Sequence, residues 1–108
     1  MLQLNTIKPL AELQAQRLLE EFRAARQESI ENAIVTTSLG HHYNADERSI
    51  IRMANALLAM AHHPLDFETR WSMADTATGV MTTTTKADLV EAHRLAVEHM
   101  AAIWERQE

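Results

Sequence analysis

What most constrains this chain is how little interrupts it: no glycine or proline lies between Pro9 and Gly40, and all 108 residues hold only two of each. Up to about residue 36 the stretch is dominated by Ala, Leu, Glu, Gln and Arg, the strongest helix formers. Pro9 suits a first helical turn, where its missing N–H is harmless. A long N-terminal helix is therefore expected over residues 9–37. Its apolar positions, Leu10, Leu13, Leu18, Phe22, Ala25, Ile30, Ala33 and Ile34, recur at mostly helical spacing. At 100° per residue, however, they drift around the axis instead of holding one face. Such a helix is either solvated along its length or packs its N-terminal half on another chain. Residues 1–8, where Leu2 and Leu4 alternate with polar neighbours, read as an extended arm, either frayed or paired with a neighbour.

At Ile34, Val35, Thr36 and Thr37 the composition turns β-branched, which favours strand. Gly40 offers a turn, and His42, Tyr43 and Asn44 return as a second short strand. Asp46 caps the next helix through backbone N–H groups that would otherwise be unpaired, with Ser49 a weak reciprocal partner. That helix is expected from residue 47 to about 62, ended by Pro64. Ile50, Met53, Ala54, Leu57, Leu58 and Ala61 form its apolar face. Phe67, Thr69, Trp71 and Met73 then alternate with polar residues, as on a half-buried strand. Residues 75–79 make a loop in which Gly79 suits a left-handed dihedral. Residues 80–84 form the partner strand, and Thr85 with Asp88 resembles a capping box. The last helix should run from about 86 to 105, burying Leu89, His93, Ala96, Val97, Met100, Ile103 and Trp104. The expected fold class is α+β: three helices and two small β-hairpins, in the order helix-hairpin-helix-hairpin-helix. Residues 38–108 would form the core of a single domain.

Composition narrows the function. A net charge of −5, from 10 Lys and Arg against 15 Asp and Glu, argues against nucleic acid, because neutralising phosphates needs a basic surplus. No cysteine is present, so disulfides and thiolate metal sites are excluded. No apolar run has the length of a membrane span. The first residues lack the basic region and apolar core of a signal peptide. Synthesis in the cytoplasm, without membrane insertion, is the expectation.

Six histidines, His41, His42, His62, His63, His93 and His99, raise the question of metal binding. No pair stands at i, i+4 on a helix, and adjacent histidines on a strand point to opposite faces. A site from His41 or His42, Asp46, and His62 or His63 would need the fold to gather them. His93, on the apolar face of the last helix, reads as a hydrogen-bonded core histidine. No phosphate loop or nucleophile elbow is present, and nearly all the acidic residues lie on expected solvent faces. The residues read as non-enzymatic, with no cofactor.

The run Leu39, Gly40, His41, Tyr43, Asp46, Arg48 and Ser49 resembles a signature of the DUF4376 family and related tail-fibre-associated proteins of bacteriophages and prophages. Ala25-Arg26-Gln27 precedes it. Trp71, Ala74 and Asp75 follow, then Met81-Thr82 and Ala92-His93, so the likeness spans roughly residues 18–104. It implies a structural or assembly role in a phage tail and supplies no catalytic residue. The protein would be made in the host cytoplasm and, as a structural component, reside in the virion tail. Its expected partner is a tail-fibre or tail-tip protein, or a second copy in a homo-oligomer. A fibre-assembly chaperone absent from the mature virion is the alternative, and a small histidine-based metal- or ligand-binding domain is an alternative of another class. Leu2, Leu4, Leu10, Leu13 and Leu19 are the expected partner contacts, because exposed leucines on a small domain await a partner.

Overall fold

In a computed structural model the described residues are 9–106. The arm over 1–8, with Leu2 and Leu4, lies outside them. Helix α1 (Leu10–Glu31) follows Pro9. It stops at Glu31 and not near residue 37, because the β-branched residues that follow are claimed by a strand. The Asn32 N–H closes the last turn on the Glu28 carbonyl at 3.0 Å.

Strands β1 (Ile34–Thr36) and β2 (His42–Asn44) pair antiparallel, with Val35 opposite Tyr43. Ala45 N–H to Ala33 O and Thr37 N–H to His41 O extend the ladder at both ends. Gly40 turns the chain at φ +83°, as expected of a residue without Cβ. Val35 and Tyr43 face the core, while Ile34 and Thr36 face out.

Helix α2 (Glu47–Ala59) starts on Asp46, whose carboxylate accepts from both the Ser49 N–H and the Ser49 hydroxyl. The helix ends at Ala59, ahead of the expected residue 62 and well before Pro64. Met60 then turns into the core. The buried face is narrower than its apolar residues suggest: Met53 and Met60 are buried, and Ile50, Ala56 and Leu57 pack against the same cluster. Leu58 is 74% exposed and Ala61 is exposed, although both were expected inside. Five residues on from Met53, Leu58 is rotated about 140° around the axis.

Strands β3 (Glu68–Trp71) and β4 (Thr82–Thr85) form the second hairpin, with Glu68 opposite Thr85 and Trp71 opposite Thr82. The expected alternation holds: Thr69 and Trp71 are half-buried and Glu68 and Arg70 exposed. Met73 is buried beyond the strand end. Val80 and Met81 belong to the loop and not to β4. Gly79 takes φ +89°. The Lys86 ammonium bonds the His63 carbonyl at 2.8 Å, fastening the segment after α2 to the start of the last helix.

Helix α3 (Lys86–Trp104) begins on Thr85, whose hydroxyl accepts from the Asp88 N–H. Leu89, Ala92, Ala96 and Ile103 are buried. Val97 and Trp104, expected inside, stand about half exposed, because the small Ala92 and Ala96 set the contact face slightly further round. The Arg26 guanidinium lies 4.5 Å above the Trp104 ring and 5.2 Å from the Phe22 ring, so the second half of α1 packs on the end of α3. The architecture is α+β, three helices and two antiparallel hairpins in the expected order. The core joins hairpin β1–β2 to α2 and α3 through Val35, Tyr43, Ala45, Met53, Met73 and Leu89.

Candidate functional site

Three places on the described residues carry chemistry. The first is a buried polar cluster around Asp88, in the first turn of α3 and 3% exposed. Its Oδ2 lies 2.7 Å from the Tyr43 hydroxyl, 3.0 Å from the Thr84 hydroxyl and 2.9 Å from His41 Nδ1. An ionised carboxylate only accepts, so the Tyr43 and Thr84 hydroxyls donate and His41 carries a proton on Nδ1. Burial alone would push the Asp88 carboxyl up. The nearby Thr37 hydroxyl and the hydrogen bonds from the Tyr43, His41 and Thr84 side chains outweigh it and hold the carboxyl below its ordinary value. The Thr37 hydroxyl faces this carboxylate, yet neither Thr37 Oγ1 nor Asp88 Oδ1 makes a bond of ordinary hydrogen-bond geometry. Tyr43 is pushed well above its ordinary value by burial, with the negative charge of Asp88 adding to the effect. One position further along the loop from Thr37, the Ser38 N–H and hydroxyl both donate to Glu91 Oε2 at 2.8 Å.

A histidine oriented by a buried carboxylate is also the geometry of a general base or of a braced metal ligand. Several residues that a His41 metal site would need are engaged elsewhere. His42 bonds the Thr36 hydroxyl at 2.8 Å, His63 stacks on Phe67 at 4.0 Å, and Asp46 is engaged as the α2 cap. Among the described residues no group of three or more His, Asp or Glu could hold a metal ion. His93 is half-buried but lacks the hydrogen bond expected of it among those residues. The Asp88 bonds tie hairpin β1–β2 and β4 to α3.

The second place is a cleft of about 360 Å³ lined by Asn44, Ser49, Arg52, Trp71, Ser72, Thr78 and Met81. It lies between the end of β2, the first turns of α2 and the loop joining β3 to β4. The Ala74 N–H bonds the His42 carbonyl at 2.8 Å, holding that loop against the first hairpin. Trp71 both lines the cleft and packs on the core.

The third is the first half of α1, where residues 10–18 are all exposed. Leu10 is 72% exposed and Leu18 66%. Ala15, Leu18, Leu19 and Phe22 line an apolar groove of about 430 Å³ along one side of the helix. Of the expected contacts, Leu10 and Leu13 stand in solvent. Leu19 is half-buried, and Leu18 is the more exposed of the two.

The signature residues divide among these places. His41 and Tyr43 go to Asp88. Ser49 and Trp71 go to the cleft, with Asp46 holding Ser49. Leu39, Gly40, Arg48 and Asp75 are exposed. Sequence reasoning missed Asp88 as the centre of a cluster, because its cap position accounts only for its backbone. It also gave no role to Arg52, which lines the cleft, because it followed only the apolar face of that helix.

A family model described as a domain of unknown function, DUF4376, matches residues 12–108. No curated protein and no solved structure matches the chain.

Proposed function

The chain belongs to the DUF4376 family, and we propose that it is a non-enzymatic interaction module docking through the free half of α1 on a bacteriophage tail protein, near the fibres or the tail tip. The observation that carries this reading is the set of leucines Leu10, Leu13 and Leu18, held in solvent on a helix whose residues 10–18 are all exposed. A 22-residue helix spans about 33 Å, more than its contact with α3 requires. Exposed apolar surface gathered on one projecting element marks a docking face. The phage setting rests on the resemblance of the signature residues, and the non-enzymatic character on the engagement of the cluster in holding the fold together.

The test is co-purification of the tail-fibre or tail-tip protein with the full chain, and with a variant carrying Leu10→Ser, Leu13→Ser and Leu18→Ser. These positions are exposed, so stability should stay within about 0.5 kcal/mol per site. Capture of the tail protein should fall at least about tenfold, the equivalent of about 1.4 kcal/mol. Undiminished capture by the triple variant would sink the assignment of α1.

A further inference from the structure

We propose that the cleft between α2 and the β3–β4 loop binds an acidic sugar unit, a hexuronate-type ring bearing a carboxylate. Its volume, about 360 Å³, falls within the range of small-molecule sites. Several of its lining side chains have unused bonding capacity.

The Arg52 guanidinium makes no hydrogen bond or ion pair with any described residue. It lies three residues after Ser49 and so shares a face of α2 with it, which directs both toward the same space. A guanidinium fork matches a carboxylate in two parallel bonds. The Asn44 amide and the Ser72 and Thr78 hydroxyls also have no partner among the described residues. The Ser49 hydroxyl donates to Asp46 but keeps its acceptor lone pairs. Trp71 and Met81 supply flat and apolar surface, and Trp71 is braced from behind by the core. The loop wall is braced as well, through Ala74 N–H on the His42 carbonyl and the Thr76 hydroxyl on the Met73 carbonyl.

These groups together discriminate between ligands. A carboxylate without hydroxyls would engage Arg52 and leave the amide and hydroxyl fringe unanswered. A neutral sugar would satisfy the fringe and Trp71 but leave the guanidinium unused. A phosphate ion would use Arg52 and make nothing of Trp71 or Met81. A pyranose ring with a carboxylate uses all three: C–H face on the indole, hydroxyls on Asn44, Ser72 and Thr78, and carboxylate on Arg52.

The experiment is a titration of the ¹⁵N-labelled full chain, followed by amide and indole N–H resonances, with D-glucuronate, D-glucose, benzoate and inorganic phosphate as separate probes. D-Glucuronate should give saturable shifts at Asn44, Arg52, Trp71, Ser72 and Thr78. D-Glucose should bind the same residues about tenfold more weakly, the loss of one charge-assisted pair. Arg52→Gln should bring glucuronate down to the level of glucose. Arg52→Lys, which keeps the charge and loses the fork, should fall between. No saturable shift at these residues up to about 50 mM glucuronate, weaker than ordinary weak recognition, would overturn the proposal. So would undiminished binding by a folded Arg52→Gln protein. Tighter binding of benzoate or phosphate at the same residues would overturn the choice of a sugar acid.

Discussion

Hairpin β1–β2 has three paired positions and hairpin β3–β4 has four, yet the shorter hairpin is the better buried. Two-stranded hairpins are marginal by themselves in water, so each depends on what it packs against. The first inserts Val35 and Tyr43 into the core and sends His41 and Tyr43 to a charged acceptor on α3. The second buries only Thr84 among its own strand residues, and its loop is left to shape a cleft. Side-chain bonds to a distant helix make one hairpin a fixed part of the frame. Their scarcity in the other leaves polar side chains free for a ligand.

The largest test of this contrast is Asp88→Ala. It strips two buried hydroxyls and the half-buried His41 ring of their acceptor and should cost about 3–5 kcal/mol in urea unfolding. A loss below about 1 kcal/mol would show that the cluster does not hold the first hairpin. Acid should act on the same bond. Asp88 titrates lower in the folded protein than in the unfolded chain. Its contribution is therefore present above about pH 4, the unfolded value, and is lost as pH falls through the depressed folded value. Asp88→Asn should remove that share of the acid dependence, and an unchanged acid profile would break the argument. At the other extreme the raised Tyr43 supports the fold below pH 10, and that support fades as pH rises further. Tyr43→Phe removes one donor and keeps the ring, so the expected cost is about 1–1.5 kcal/mol. It should also bring the acid loss to higher pH, since Asp88 loses one of the bonds that depress it. Smallest is Thr83→Ala, on the exposed side of the second hairpin opposite Arg70, expected within about 0.5 kcal/mol. A loss above about 1.5 kcal/mol there would mean that the second hairpin is framed as tightly as the first.

Periodicity and capping residues carried most of the fold. Asp46 and Thr85 fixed where α2 and α3 start, and Gly40 and Gly79 marked turns with φ of +83° and +89°. Helix ends were less legible. Neither Ile34 at the end of the first run nor Met60 ahead of Pro64 is a breaker, and tertiary packing decided where those helices stop. Faces were blurred where apolar residues exceed what the core can hold, as with Leu58, Val97 and Trp104. The cluster itself was invisible, because Tyr43 and Asp88 are 45 residues apart and no local pattern connects them. Arg52 was visible only as a polar residue on a helix, and its meaning comes from Trp71 and the loop brought opposite it.

The separation between the first hairpin and its acceptor also bears on synthesis. When β1 and β2 leave the ribosome, Asp88 and Glu91 have not yet been made, and a hairpin of three pairs cannot persist alone. His41, Tyr43 and Ser38 acquire their partners only once the start of α3 has emerged. The chain therefore completes its frame late, around the arrival of two carboxylates one helical turn apart on α3.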